Sequence, residues 1–174
     1  MYMKEALRKK TKGKKGFTLV ELVIVIAVLA IIAAIAIPTV SNVINNANAS
    51  ADASNAQSIE LAIKTAQSEC AAYNTNHSTK VEAMGLADKS SQKLATAGTT
   101  VTLEKLLNTY GVDAAVITSP KVANDKFFYN STTGKVIAAT ETSDKTSVTL
   151  DKDNTSFKLG ADGSLEISAA TPAK

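Results

Sequence analysis

A chain of 174 residues is long enough for one hydrophobic core and little more. Its formal charge of +3 belongs to the start: Lys4, Arg8, Lys9, Lys10, Lys12, Lys14 and Lys15 stand against Glu5 alone, and from Phe17 onward twelve basic residues face fifteen acidic ones, a net of −3. That balance excludes a basic body built to neutralise phosphates, and a single cysteine excludes an intrachain disulfide.

In chain order, the basic stretch is followed by Gly16 and then by an apolar run. Residues 22–37 (LVIVIAVLAIIAAIAI) carry no polar side chain, and with Phe17 to Val20 before them they approach the roughly 20 residues that cross a bilayer. A secretory signal shares the basic start, but its apolar region is usually about 7–15 residues long. A plain membrane anchor, oriented by its basic cytoplasmic flank, is the other reading. Glu21 argues against the plain anchor. A carboxylate inside a membrane segment costs about 2.5–3.5 kcal/mol on the insertion scale, so it needs a partner. A cut after Gly16 would give Phe17 a free α-amine, one helical turn from Glu21 in the i, i+4 relation. The amine of a neighbouring copy could serve equally.

The string Lys14-Lys15-Gly16-Phe17-Thr18-Leu19-Val20-Glu21-Leu22 resembles the processing and methylation motif of type IV prepilins and their pseudopilin relatives. The resemblance covers residues 14–38. It implies that a dedicated membrane peptidase cuts between Gly16 and Phe17 and that the same enzyme N-methylates Phe17. It further implies that Glu21 pairs with a neighbour's amine during assembly. Pro38 matches the proline at which the long helix of that family bends. On chemistry alone, a glycine before the cut leaves the scissile backbone unobstructed. A proline removes a helix donor and crowds the preceding turn, so the lesser alternative is that Pro38 ends the helix.

The apolar pattern continues past Pro38. Val40, Val43, Ile44, Ala47, Ala51, Ile59, Ile63, Ala66, Cys70 and Tyr73 recur mostly every three or four residues, with Ser54 bridging the wide gap. The opposite face carries Asn45, Asn46, Asp52, Asn55, Gln57, Glu60, Lys64 and Glu69. This predicts one helix over residues 17–73, loosened near Pro38, apolar all round in its first half and amphipathic in its second. Residues 45–58 are small and polar, which suits either close approach of neighbouring subunits or a frayed helix.

Residues 74–80 read as a loop, followed by a short helix within 81–94 that Gly85 weakens. Thr102 can cap a helix over 103–110, with Gly111 in the left-handed position that ends it. From Lys126 the period changes to two. Residues 126–130, 135–140, 147–150, 155–159 and 164–167 are short alternating runs separated by turns, which predicts an antiparallel meander of four or five strands. Residues 168–174 read as a loose tail. The fold class is therefore α+β, a long N-terminal helix packed on an antiparallel sheet, in agreement with the pilin fold that the resemblance implies. The division expected is a leader at 1–16, a membrane or filament-core helix at 17–40, its amphipathic continuation at 41–73 and a globular head at 74–174.

Candidates for chemistry are few. His77, the only histidine, sits among polar loop residues, and Cys70 lies on the apolar stripe as a small core thiol. One cysteine and one histidine cannot make a zinc site of Cys/His spacing, and no Gly-rich phosphate loop or nucleophile elbow occurs. Some pseudopilins hold Ca²⁺ near the C-terminus. The stretch Asp151-Lys152-Asp153-Asn154 lacks the glycine and closing glutamate of an EF-hand loop, and reads as a hairpin turn. Sequons at Asn48, Asn76, Asn130 and Asn154 carry little weight in a bacterial-type chain. No catalytic residue, metal site or cofactor is expected. Unlike many pilins, this chain has no disulfide to close its C-terminal region.

The function expected is a structural subunit of a type IV pilus, held in the cytoplasmic membrane as a precursor, cleaved after Gly16 and assembled into a surface filament. A pseudopilin of a type II secretion or DNA-uptake machine is the alternative, and a DNA-binding minor pilin or a membrane-anchored enzyme are readings of other classes. The partners expected are further copies or related subunits, the peptidase that also methylates, the assembly machinery and membrane lipid. Nucleic acid is not expected.

Overall fold

The computed structural model describes residues 16–144 and 146–169. The leader expected at 1–16, save Gly16, and residues 170–174 of the expected tail lie outside them. The chain divides into two compact units, Met1–Val43 and Ile44–Lys174.

Helix α1, Leu19–Ala71, runs for 53 residues. It is continuous through Pro38, whose missing N–H leaves the carbonyl four residues back without its usual donor. Two hydroxyls nearby turn back onto the helix: Thr39 Oγ1 donates to the Ile35 carbonyl at 2.8 Å and Ser41 Oγ to the Ile37 carbonyl at 3.0 Å. Such back-bonding adds acceptor load near the proline and favours local bending.

In the second unit the buried face of α1 runs through Asp52, Ala56, Ile59, Ala62, Ile63, Ala66 and Cys70. This corrects the expected stripe. Between Ala51 and Ile59 the face passes through Asp52 and Ala56, whereas Ser54 is exposed and Ala51 only half-buried. Asp52 was expected on the solvent face because it is charged. It is buried because its carboxylate is fully engaged by backbone N–H groups, the condition under which a buried carboxylate is tolerated.

After α1 come two short helices, α2 (Tyr73–Asn76) and α3 (Thr79–Met84), where a loop was expected over 74–80. His77 closes α2 in the left-handed conformation, φ 45°, with its backbone N–H donating to the Tyr73 carbonyl. Gly85, at φ +81°, stops α3. Its N–H donates to the Glu82 carbonyl at 2.9 Å, and the Leu86 N–H donates to the Val81 carbonyl at 3.1 Å. The helix expected within 81–94 therefore ends at Met84, and a two-stranded hairpin of β1 (Ala87–Asp88) and β2 (Lys93–Leu94) occupies the rest.

Strand β3 (Thr100–Thr102) leads into α4 (Leu103–Thr109), whose Thr102 cap accepts from the Lys105 N–H at 3.3 Å. Gly111 follows at φ +77°, as the capping residues predict. A further short helix, α5 (Ala115–Thr118), precedes β4 (Lys126–Asn130), β5 (Val136–Ala139), β6 (Ser147–Thr149), β7 (Ser156–Leu159) and β8 (Leu165–Ala169). The strands lie close to the expected runs, and β8 takes in residues assigned to the tail. Their pairing differs from one meander. They form two antiparallel three-stranded sheets, ordered β5-β4-β6 and β3-β7-β8. The chain returns past β5 so that β6 lies on the other edge of β4, and β7 takes β3 as its second partner. One core serves both sheets and α1. Tyr73, Phe127 and Phe157 are fully buried with Ile59, Ile63, Leu103, Leu106 and Leu107, and the Tyr129 and Phe157 rings meet edge to face at 6.0 Å. Each such side chain contributes about 1.5–3 kcal/mol by leaving water. The class is α+β, with a long helix whose first half is apolar and antiparallel sheets after it.

Candidate functional site

The N-terminal motif is built on the first turn of α1. Gly16, Phe17 and Thr18 precede the helix, and the Phe17 side chain is 93 % exposed. Thr18 is the cap. Its Oγ1 accepts from the Glu21 N–H at 3.3 Å, while Glu21 Oε2 accepts both the Thr18 N–H and the Thr18 hydroxyl at 2.8 Å. This reciprocal arrangement is a capping box, which satisfies two backbone donors that a helix start leaves open. It also places a carboxylate where the helix dipole favours negative charge.

The sequence carries the signal for this in Thr18-Leu19-Val20-Glu21, a threonine three residues before a glutamate at the head of an apolar run. Reading Glu21 only as an ion-pair partner passed over it. In this uncut chain Glu21 has Thr18 as its partner, and the ion pairs among the described residues are Lys64–Glu60 and Lys152–Asp153. Among the described residues, both bonds that Glu21 accepts fall on Oε2.

From Leu19 to Ile44 no side chain of α1 is buried, and the large apolar ones, such as Leu22, Ile26, Leu29 and Ile37, stand open on every side of the helix. A soluble surface does not carry such a belt. The helix is long and apolar enough to cross a membrane. Pro38 lies in this stretch, separated from Glu21 by more than four turns of helix.

The other candidates fall into structural roles. Cys70 is fully buried among apolar neighbours. His77 is exposed, with its ring edge-on to Tyr73 at 5.5 Å. The stretch 151–154 is a turn: Asp151 Oδ1 accepts from the Asp153 N–H at 2.8 Å and the Asn154 N–H at 3.1 Å, and Lys152 pairs with Asp153. Those backbone donors hold the Asp151 carboxyl below the usual aspartate range. Among the described residues no group of His, Cys, Asp and Glu has the arrangement of a metal site.

A helix apolar enough to cross a membrane, with a capped carboxylate in its first turn and an α+β body after it, is the class that fold and site define. The particular signature is then specific: residues 11–37 match the prokaryotic N-terminal methylation motif, the mark of type IV pilins and pseudopilins. Residues 11–15 of that match lie outside the described residues. No curated protein and no solved structure was found that matches the chain. In its motif the chain is type IV pilin-like, and the motif points to a structural protein anchored by its N-terminal helix.

Proposed function

We propose that this chain is the precursor of a filament subunit, cut between Gly16 and Phe17, methylated at Phe17, and assembled into a type IV pilus through the apolar half of α1. The observation that carries the reading is the methylation motif over residues 11–37 joined to an apolar helix with a carboxylate in its first turn. While the chain is intact, Thr18 occupies Oε2 of Glu21. The cut creates an α-amine one residue before Thr18, and Oε1 is then available to that amine or to one from a neighbouring copy. The carboxylate thus gains a terminal cation on processing, which ties competence for assembly to the cut. Pro38 is the point at which α1 loosens when packed in the filament. The partners that follow are the prepilin peptidase, the assembly machinery and further subunits, and the final location is the cell surface.

Mass spectrometry of the mature chain tests this. The expected N-terminus is Phe17 carrying one added methyl group. A first residue beyond Ile37 would mean that α1 loses its apolar half to a signal peptidase, which overturns the proposal. Electron microscopy of cells then separates a pilus from a secretion or DNA-uptake pseudopilus: long surface fibres made of this chain support the former, and short stubs the latter.

A further inference from the structure

Asp52 is the first residue of α1 whose side chain is fully enclosed, at 1 % exposure. Upstream, residues 44–51 are exposed or half-buried, and they include Asn45, Asn46, Asn48 and Ser50, all weak helix formers. The carboxylate of Asp52 accepts two consecutive backbone donors: the Lys121 N–H on Oδ1 at 2.8 Å and the Val122 N–H on Oδ2 at 2.7 Å. Those donors belong to the connection between α5 and β4, residues 119–125. None of its side chains is buried, and Asn124 sits at φ +68°. At its far end Asp125 accepts from the Thr140 hydroxyl at 2.8 Å. Its apolar side chains Pro120 and Val122 are only half-buried, so the connection has no fully buried apolar anchor. Polar clasps hold it, and among the described residues the one that reaches α1 is Asp52.

We propose that Asp52 couples this surface connection to the helical state of α1 just upstream. Two acceptors aimed at two adjacent N–H groups require the Asp52 side chain in one direction, and that direction is fixed by the helix turn containing it. If the turn before Asp52 unwinds, both bonds lose alignment together and the segment 119–125 is released. The connection thus acts as a reporter on the surface of whether the weak, exposed stretch of α1 is wound. Nothing in this coupling depends on the pilin reading. If α1 is altered by assembly, however, the same clasp would change the face that residues 119–125 present.

The test is amide hydrogen exchange on the full chain in detergent micelles. Ser50→Gly weakens the helix one half-turn before Asp52 at an exposed position. It is expected to speed exchange at Lys121 and Val122 at least tenfold while Phe127, Phe128 and Tyr129 in β4 keep their protection. Asp52→Asn keeps the shape but offers one acceptor in place of two. It is expected to speed the same two amides, and Ser50→Gly added to it is expected to have no further effect on them. An unchanged 119–125 segment in Ser50→Gly overturns the proposal, and so does equal acceleration in β4, which reports general destabilisation. Additive effects of the two substitutions overturn it as well. If Asp52→Asn does not fold, Ser50→Gly alone decides.

Discussion

Glu21 occupies a position where three demands meet. It caps a helix, it sits at the edge of an apolar belt, and it is the acid of the methylation motif. Its short-range role was legible as a threonine and a glutamate three apart, whereas the proposed assembly role rests on the chemistry of a charge in lipid. Glu21→Val separates them. Valine removes the cost of placing a carboxylate in lipid, so the variant is expected in the membrane fraction at wild-type level. It also removes the acceptor for a terminal amine, so no filaments are expected on sheared cells by electron microscopy. Filaments of normal abundance would refute the pairing role. Asp52 gives the opposite lesson at the same scale. Its charge placed it on the solvent face in any pattern-based reading, because pattern cannot see two N–H groups that arrive from a connection about seventy residues away.

Among the elements, α1 was legible almost whole. A run of apolar residues that need internal backbone bonds, followed by apolar residues every three or four, allows little but helix. The α4 cap at Thr102 and the stop at Gly111 were legible for the same local reason. The hairpin of β1 and β2 was not, since strands of two residues carry no periodicity and Gly85, a residue expected only to weaken a helix, ends one. Its φ of +81° makes a test. Gly85→Ala meets no close backbone atom, the nearest neighbour being Lys105 Nζ at 3.5 Å, so its cost is conformational. Forcing an L-residue into the left-handed region is expected to lower stability by about 1–2 kcal/mol, read as a lower denaturant midpoint with an unchanged slope. A wild-type midpoint would contradict the role of the left-handed stop.

Across the whole molecule, the two units differ in what stabilises them. Every buried side chain among the described residues lies at or beyond Asp52, and the helix before it carries its apolar surface outward. The second unit also uses aspartates as turn closers. The Thr146 hydroxyl beside Asp144, the backbone N–H groups onto Asp151, the Ser164 hydroxyl beside Asp162 and the Ser90 N–H onto Asp88 each hold the carboxyl below its ordinary range. A carboxyl whose pKa is depressed by folding contributes stability above its unfolded pKa and loses it as pH falls through the folded value. The contribution of these aspartates is therefore expected to be constant above about pH 5 and to decline below about pH 4, where unfolded aspartates take up protons. Asp151→Asn is expected to reduce the slope of that decline in acid titrations followed by circular dichroism. Because these groups are exposed, solvent screening keeps each effect small. An acid limb identical to wild type would show that Asp151 adds nothing to it.

Composition and order along the chain were enough for the apolar anchor, the carboxylate in its first turn, the amphipathic continuation and the short strands, because each is a local pattern whose period or cap is written in neighbouring residues. The partition of the strands into two sheets, the pairing of β7 with β3 and the burial of Asp52 came from contacts between segments far apart in sequence. Strand pairing is set by which edges and faces complete a common core, and a buried carboxylate is set by the donors that reach it. Neither quantity is a property of any short stretch of chain.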